Sequence, residues 1–418
     1  MRSILLAAAS LCVLGAPAAA RTPEQVAAAA LAAAPVFDGH NDVPEQMRDR
    51  RKNVLGTFDF RDTTNTGDPA KEVGMMQTDL KRLRAGKVGA QFWSVYVSAN
   101  LPEPQAVQAT LEQIDVMKRL IARYPNDLQF CTDTTCIEQA RKAGRIASLL
   151  GMEGGHSIGG SLAVLRQMHA LGARYMTLTH FKNLAWAESA TDAPMAQGLT
   201  PFGKDVVREM QRLGILVDLA HVSEKTMLDA LSVAGAPVIV SHSNARGVNH
   251  HPRNVPDTAL DAIKANGGVV MVNFYPPYAT EAARVRNATR AGEEARLKAL
   301  HVGDPAGLAK GLAGWDKANP EVPGALTDVA DHLDYIAKRI GADHVGLGGD
   351  FDGIERGVTG MEDVSTYPAL FAELARRGWS QTDLEKLASR NMMRVMKAAE
   401  AYAAAHRNDA PLENPTTF

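Results

Sequence analysis

The sequence predicts a single (β/α)₈ (TIM) barrel, and three observations support this prediction. Eight short apolar runs recur along the chain, and their nearly continuous apolar character is typical of parallel strands covered on both faces. Segments with apolar residues at helical spacing lie between the runs, and no linker rich in proline, glycine or serine divides the chain. This alternation favours a barrel. The alternative is an open doubly wound sheet, but no glycine-rich phosphate-binding fingerprint follows the first run.

The predicted strands are short and are spread over most of the chain. They cover residues 36–37, 88–97, 146–150, 175–178, 216–219, 238–240, 269–274 and 345–347. The clearest helical patterns cover residues 161–171, 205–213, 224–233, 257–265 and 328–340. Ser223 and Thr327 precede two of these helices and are of the residue type that caps helix starts. Two long connections, 43–87 and 275–326, are interpreted either as binding loops or lids or as plain surface excursions.

Composition and charge exclude some classes of partner. The chain has 418 residues, of which 45% are hydrophobic, and its 45 Lys and Arg are balanced by 47 Asp and Glu. These values are typical of globular proteins. The balance leaves no basic surface field for nucleic acid or anionic lipid. We therefore predict no nucleic-acid partner.

The N-terminal sequence has the pattern of a cleaved export signal. Arg2 precedes an apolar stretch over residues 4–14, which is followed by small residues at 18–20. The stretch is too short to span a membrane, and the polar C-terminal sequence ENPTTF does not resemble a lipid-anchor signal. We predict an exported bacterial protein, periplasmic or secreted, without a stable membrane anchor. Its predicted parts are a signal peptide (1–20), a barrel domain (21–405) and a polar tail (406–418).

Two of the three cysteines remain after removal of the predicted signal. Cys131 and Cys136 are close in sequence, and in an oxidising compartment they are compatible with a local disulfide. The alternative, a pair of zinc ligands, lacks the nearby second pair that a structural zinc site requires.

Residues of metal-binding type end most of the predicted strands. In VFDGHND, His40 and Asp42 are two positions apart and therefore face the same side of a strand. Later strands end in Glu153, His180, His221, His242 and Asp350. One such residue alone is usually structural, but in a barrel the C-terminal ends of the strands meet at one face, where catalytic groups lie.

This combination of side chains predicts a metal centre. The predicted ligands are three histidines and two carboxylates: His40, Asp42, Glu153, His221 and His242. They form the donor set expected for zinc or a similar divalent transition metal. Five ligands exceed the number that one catalytic zinc normally takes, and the surplus favours two ions that share a carboxylate.

Six segments together form a specific family signature. They are DGHND, GMEGGHSIGGSLAVLRQMHALGARYMTLTH, GILVDLAHVSEKTM, APVIVSHSNARGVNHHPRNVPD, VVMVNFYPPY and GLGGDFDG. Together they resemble the membrane (renal) dipeptidase family, a branch of the amidohydrolase-type barrels. The resemblance runs from about residue 36 to about residue 400. It implies that His40 and Asp42 bind the first of two zinc ions, that His221 and His242 bind the second, and that Glu153 bridges both.

The resemblance also implies roles in catalysis and substrate binding. His180 matches the histidine that helps hold the oxyanion, and Arg253 matches the arginine that binds the carboxylate of the substrate. Asp350 matches the aspartate that handles protons and is preferred over Asp352, because GLGGD places Asp350 first beyond the strand. Tyr278 is expected to line the substrate pocket, although aromatic packing explains it equally well.

Two further residues have open interpretations. His156, three residues after Glu153, either supports a ligand or faces solvent. Asp218, in the fifth predicted strand, either orients a ligand histidine or satisfies backbone donors.

The predicted function is a zinc-dependent dipeptidase that hydrolyses dipeptides through a metal-bridging hydroxide. The resemblance further implies tolerance of a D-residue at the C-terminal position and a homodimer. One alternative keeps the metal centre but changes the substrate to another amide, such as a lactam or an N-acyl amino acid, because a fold does not settle the substrate. The other is a non-catalytic periplasmic barrel that binds a metal or a peptide. The presence of both Asp350 and His180 argues against this second alternative.

Overall fold

The predicted barrel is confirmed in the computed structural model, which describes residues 21–68 and 73–414. The strands in these ranges are β1 (Val36–Asn41), β2 (Val88–Ser94), β3 (Leu128–Phe130), β4 (Ile146–Glu153), β5 (Ala173–Thr177), β6 (Leu216–Asp218), β7 (Ile239–Val240), β8 (Val269–Val272) and β9 (Val345–Leu347). They pair in parallel in the order β2-β1-β9-β8-β7-β6-β5-β4, and pairing of β2 with β4 closes the ring. β3 was not predicted; it pairs with the start of β4 and is not one of the eight strands of the ring.

Helices surround this ring. They are α1 (Pro23–Ala33), α2 (Val43–Arg51), α3 (Leu80–Ala85), α4 (Glu103–Arg123), α5 (Thr134–Lys142), α6 (Leu162–Ala170), α7 (Pro201–Leu213), α8 (Glu224–Val233), α9 (Asp257–Asn266), α10 (Pro276–Ala279), α11 (Glu281–Leu300), α12 (Pro305–Ala318), α13 (Leu326–Ile340), α14 (Tyr367–Arg376), α15 (Gln381–Glu385) and α16 (Asn391–Ala405). None of the helices in the described ranges combines the length and the apolar character needed to cross a membrane.

The two predicted helix caps have different outcomes. Ser223 caps α8 as predicted, since its hydroxyl accepts a hydrogen bond from the amide of Thr226 at 3.2 Å. The prediction that Thr327 caps α13 is wrong, because the helix already begins one residue earlier. The N-cap is Ala325, whose amide donates to the carboxylate of Asp328 at 2.7 Å.

All the predicted strands except the last, 345–347, differ from the observed strands at one or both ends, and β1 and β8 are two examples. β1, predicted over 36–37, continues to Asn41, which pairs with Trp93 of β2. The metal-type residues of the first motif therefore begin inside the strand. β8 ends earlier than predicted, because the amide of Asn273 donates to the side-chain oxygen of Asn244 at 2.8 Å.

Close packing explains the glycine in VFDGHND. Gly39 lies between Asp38 and His40, where a Cβ atom would come within 2.5 Å of the sulfur of Met271 and 2.9 Å of the backbone oxygen of Ser241. A larger residue would force neighbouring strands apart. The interior of the ring around this point is filled mainly by buried apolar and aromatic side chains.

Both long connections reach the C-terminal face of the barrel. In 43–87, the amide of Gln77 donates to Asp352 at 2.8 Å, and the amide of Asp352 donates back to the Gln77 side chain at 2.7 Å. The connection 275–326 forms α10, α11 and α12. Side chains from both connections line the main cavity of this face, which favours the interpretation as binding loops.

The structure also bears on the predicted disulfide and on the predicted C-terminal tail. Cys131 and Cys136 form a disulfide that joins the end of β3 to α5. The predicted signal peptide, 1–20, lies outside the described residues. The predicted polar tail lies against the barrel as far as Asn414, whose side-chain oxygen accepts a hydrogen bond from the first amide of α6 at 3.1 Å.

A buried histidine joins two loops of the C-terminal face. The Nδ1 atom of His332 accepts from the amide of Ala245 at 3.1 Å, and its Nε2 atom donates to the carbonyl of Ala279 at 2.9 Å. Both bonds require the neutral imidazole. Burial lowers the pKa of His332 from 6.5 to about 4.

This histidine predicts a loss of stability in mild acid. Below pH 6.5 the unfolded chain takes up the proton while the folded chain does not, so the stabilisation is complete above pH 6.5 and is lost as the pH falls towards 4. We expect the free energy of unfolding to fall by roughly 3 kcal/mol over this interval because of His332. Urea unfolding of His332→Gln, which can keep both hydrogen bonds without titrating, should show a correspondingly smaller pH dependence. Equal pH dependence in the two proteins would contradict this assignment.

Candidate metal centre

The structure brings the polar residues of the strand ends together at one point of the C-terminal face. All seven are buried: His40, Asp42, Glu153, His180, His221, His242 and Asp350. They come from six strands or from the turns that directly follow them, so no single sequence segment carries the centre. Burial of so many ionisable groups requires that they pair with one another or bind a metal.

Glu153 lies in the middle of this group. Its Oε2 atom is 3.4 Å from Nε2 of His40, whereas its Oε1 atom is 2.9 Å from Nε2 of His221 and 3.4 Å from Nε2 of His242. Asp42 adds a carboxylate oxygen 3.2 Å from Nε2 of His40. One oxygen of the Glu153 carboxylate thus lies near His40, and the other lies near His221 and His242.

The donor atoms fit divalent metal ions. Three groups have ligand atoms within 4.8 Å of one another: His40, Glu153 and His242; Glu153, His180 and His221; and His40, Asp42 and Asp350. In the part of the chain that the structure describes, neither Nε2 of His40 nor Oδ1 of Asp42 has a hydrogen-bond partner, although both are buried. Imidazole nitrogens with carboxylate oxygens suit zinc and similar metals.

Hydroxyl groups contact the Nδ1 atoms of two of the histidines and fix the orientation of their rings. Nδ1 of His40 lies 2.8 Å from the hydroxyl of Tyr175, and Nδ1 of His242 lies 2.8 Å from the hydroxyl of Ser241. Ser241 donates to the carboxylate of Asp218 at 2.7 Å, so it accepts from Nδ1–H of His242. The Nε2 lone pair of His242 is then free for a metal. Asp218 therefore orients a histidine, and it also accepts from backbone amides.

The ionisation of the group suits metal binding in part. Burial, supported by nearby cations, lowers the pKa of His221 and of His242 well below the usual range, so both are neutral. Burial opposes ionisation of Glu153, but the neighbouring histidines more than offset it and lower the pKa of this carboxyl. The pKa of His40 is raised despite burial, by Tyr175 and the adjacent carboxylates. A metal ion must displace the proton of His40.

The two aspartates after β9 face different surroundings. Oδ1 of Asp350 is 3.9 Å from Nε2 of His40, and Oδ2 accepts from the side-chain amide of Asn273 at 2.7 Å. Burial raises the pKa of Asp350 well above its usual value, despite His40. The carboxylate of Asp352 is instead held by the amide of Gln77. The structure therefore places Asp350, and not Asp352, beside the candidate ligands.

His180 is positioned for either of two roles. Its Nε2 atom is 3.5 Å from Oε1 of Glu153, almost as close as that of His242. Its ring centre lies 4.5 Å from that of Tyr96. Burial lowers the pKa of His180 to about 4, so the imidazole is neutral at pH 7. A neutral imidazole can bind a metal or donate a hydrogen bond to a substrate oxygen.

A cavity of about 470 Å³ opens above the candidate ligands. Arg253 lies in its wall and is only 1% exposed; its guanidinium donates to the hydroxyl of Ser243 at 3.0 Å and lies 5.3 Å from the ring centre of Tyr278. Both Arg253 and Tyr278 thus line the cavity, and their predicted roles in substrate binding remain predictions. A buried guanidinium is suited to binding a carboxylate.

Comparison with known proteins identifies the family. Residues 24–410 match the model of the family described as membrane dipeptidase (peptidase family M19). The chain belongs to this family. An uncharacterised dipeptidase of Schizosaccharomyces pombe is 39% identical over 393 residues, which are 91% of this chain and 84% of that protein. The resemblance found in the sequence motifs is confirmed, and the protein is a dipeptidase of the M19 metallopeptidases.

Solved structures share the fold of the dipeptidase. The probable dipeptidase PvdM from Pseudomonas aeruginosa superposes with a TM-score of 0.77 at 24% identity, over 91% of this chain and 99% of that one. A metallopeptidase from Rhodobacter sphaeroides, solved with a phosphinate mimic of the dipeptide L-Ala-D-Ala, superposes with a TM-score of 0.69 at 23% identity, over 88% and 99% of the two chains.

Several residues of the dipeptidase site were not found from the sequence. Tyr96 follows β2 and lines the cavity, so the strand-end rule applied to that strand would have identified it. Tyr175 and Ser241 touch ligand-type histidines through contacts that no local pattern reveals. Glu45 also lines the cavity. His156 does not face solvent; it is buried, and Nε2 donates to a backbone carbonyl.

Proposed function

We propose that this dipeptidase holds two zinc ions and hydrolyses the peptide bond of dipeptides. His40 and Asp42 would bind one ion, His221 and His242 the other, and Glu153 both. The observation that supports the proposal is the position of Glu153, whose Oε2 atom lies near His40 and whose Oε1 atom lies near His221 and His242. When bound, the ions lower the pKa of a water molecule from about 15.7 towards 7 and so supply a hydroxide nucleophile at neutral pH.

The chain itself supplies proton transfer and charge stabilisation. Oδ2 of Asp350 is held by Asn273, whereas Oδ1 is directed towards the centre. In its carboxylate form, Asp350 would accept the proton of the attacking water at Oδ1 and return it to the departing amine, as general base and then general acid. Neutral His180 donates Nε2–H to the developing oxyanion, a contribution of about 3–4 kcal/mol for comparable donors.

Arg253 determines how the substrate is oriented. Its guanidinium binds the free carboxylate of the C-terminal residue. The ring of the adjacent Tyr278 packs against this guanidinium. With its carboxylate at Arg253 and its free amine near the carboxylates of the centre, the substrate would be fixed at both ends, which restricts it to dipeptides. The dipeptide mimic bound by the Rhodobacter sphaeroides neighbour ends in D-Ala. It supports our proposal that a D-residue is tolerated at the C-terminal position.

The role of Arg253 predicts discrimination between free and blocked carboxylates. We expect Arg253→Lys to lower kcat/KM for dipeptides by roughly 100-fold, because lysine cannot form the two parallel hydrogen bonds of a guanidinium. Hydrolysis of the corresponding dipeptide amides, slow in the wild type, should change little. Arg286→Lys, on α11, is the matched control. An equal loss on acids and amides would show that Arg253 supports the fold instead of binding the carboxylate.

The overall proposal is tested by hydrolysis of L-L and L-D dipeptides before and after chelation. Activity that is lost on chelation, restored by zinc and abolished by acetylation of the substrate amine would support a zinc dipeptidase. Cleavage of lactams or N-acyl amino acids in place of dipeptides would contradict it. Failure of the metal-loaded protein to cleave any of these amides would favour the binding-protein alternative. Export and a homodimer remain predictions, to be checked by N-terminal sequencing of the mature protein and by light scattering.

A further inference from the structure

A carboxylate that the proposed reaction does not use lines the substrate cavity. Glu45 lies in the first turn of α2, three residues after Asp42, and its side chain is 22% exposed. It borders the cavity above the candidate ligands together with Tyr96. It also borders a second cavity of about 340 Å³, here called the side cavity. Glu45 therefore stands where the two cavities meet.

Glu45 and Arg253 lie on different sides of the candidate ligands. The charged groups that act on Glu45 are Asp42, Arg48, Asp49 and Glu153, from the β1 side and the centre. Arg253 follows β7, and in the ring β7 is separated from β1, the strand before Glu45, by β8 and β9. A dipeptide with its carboxylate at Arg253 and its peptide bond at the centre would extend its N-terminal residue towards Glu45.

The side cavity is predominantly acidic. The charged residues among its described lining are Glu45, Asp49, Arg50, Asp352 and Glu355. The guanidinium of Arg50 is already bound to the carbonyls of Thr66 and Gly74 and to the side chain of Gln46. Arg48, which is outside this lining, pairs with two of the four carboxylates, Glu45 and Asp49, so four carboxylates face two cations. The remaining negative charge favours a positively charged ligand.

Among the described residues, the one cation that contacts Glu45, Arg48, compensates its negative charge only in part. Burial and then the charge of Asp42 raise the pKa of Glu45 to about 8, and the nearby Arg48 only partly opposes this. Arg48 approaches Glu45 at 3.2 Å, but it also donates to Asp49 at 2.9 Å and to the carbonyl of Tyr96 at 2.7 Å.

Glu45 also has two ordinary structural explanations. A glutamate in the first turn interacts favourably with the helix dipole, and an i,i+3 pair with Arg48 adds little at a partly exposed site. Under either explanation, a substitution of Glu45 would lower the stability of the protein and would change kcat/KM by the same factor for every dipeptide. Neither explains why the side chain borders the substrate cavity.

We infer that Glu45 is a specificity-determining residue that selects dipeptides whose N-terminal residue carries a cationic side chain, with that side chain placed in the side cavity. The inference rests on the proposed dipeptidase function and assigns a substrate class to the same site. The cation could come from a lysine or arginine side chain or from the α-amino group that every dipeptide has. Our proposal is the side chain, because the side cavity offers space beyond Glu45 that an α-amino group would not need.

The test compares kcat/KM for Lys-Ala, Arg-Ala, Leu-Ala and Glu-Ala with zinc-loaded protein. We expect the wild type to favour Lys-Ala and Arg-Ala over Leu-Ala by about 10-fold or more. Glu45→Gln should lower kcat/KM for Lys-Ala and Arg-Ala by about 10-fold more than for Leu-Ala and so remove this preference, and Glu45→Lys should favour Glu-Ala. The matched control is Glu103→Gln, since Glu103 also lies in the first turn of a helix, α4, but not in the cavity lining.

The possible results separate the inference from the proposed function. Hydrolysis of Leu-Ala at the same efficiency as Lys-Ala by the wild type would overturn the inference and leave the dipeptidase proposal intact. A preference for Lys-Ala that survives in both Glu45 variants would do the same. An equal loss on all substrates in Glu45→Gln would assign Glu45 to the α-amino group, and would also overturn the side-chain assignment. No hydrolysis of any dipeptide by zinc-loaded wild type would overturn both.

Discussion

Replacement of Glu153 by glutamine is expected to lower kcat/KM for dipeptides by at least about 10³-fold, or ~4 kcal/mol of transition-state stabilisation. The carboxylate faces His40 with one oxygen and His221 and His242 with the other. Glutamine has nearly the same shape but only one oxygen and no charge, so it cannot serve both sides. We therefore also expect the bound zinc to fall from two ions per chain to one or none.

Metal content measured by mass spectrometry, together with kinetics on the same samples, tests this prediction. Glu209→Gln is the matched control, because Glu209 is a fully buried carboxylate on α7 that pairs with Arg166 and Arg212 away from the centre. This control should lose stability but keep both ions and its activity. If Glu153→Gln retained two ions and near-normal activity, the shared-carboxylate arrangement would be wrong.

Replacement of His180 by asparagine should lower kcat by about 10²–10³-fold, with both ions retained. The neutral imidazole is proposed to donate to the oxyanion, which exists only in the transition state, so KM should change much less than kcat. Asparagine keeps a polar side chain but cannot reach the same point. This result would distinguish an oxyanion donor from a metal ligand.

The geometry makes this distinction necessary. Nε2 of His180 lies 3.5 Å from Oε1 of Glu153, and Nε2 of His242 lies 3.4 Å from the same atom. His242→Asn is therefore the comparison variant and should lose an ion. Loss of an ion from both variants would assign His180 to the metal centre and would remove it from the proposed oxyanion site.

The positions of the main site residues could be predicted because two simple rules act together. Alternation along a strand places His40 and Asp42 on one side, and a parallel barrel gathers the strand ends at one face. Two of the residues that were missed, Tyr175 and Glu45, obey neither rule. Tyr175 lies within β5, and Glu45 follows its strand by a helical turn; their proximity to the centre depends on packing between distant segments.

Backbone conformation was also outside the reach of sequence patterns. His221 and Asp350 have positive φ angles, 65° and 60°, although neither is glycine. Such conformations are costly for residues with a Cβ atom and persist where surrounding structure imposes them, often at functional sites. The N-cap of α13, Ala325, was also missed. Its side chain cannot cap the helix, and its amide instead donates to the side chain of Asp328, which lies inside the helix. Composition alone cannot reveal either feature.

The closure of the ring has a consequence for the order of assembly during synthesis. β1 meets β9 through the pairing of Asp38 with Leu347, and the amide of Gly349 donates to Asp38 across 311 positions of the chain. A nascent chain that has not been synthesised as far as β9 contains His40 and Asp42 but lacks the strand that pairs with one edge of β1. Contacts so distant in sequence form slowly. We therefore expect metal uptake to follow ring closure, so that its rate during refolding would report the last step by which the barrel becomes complete.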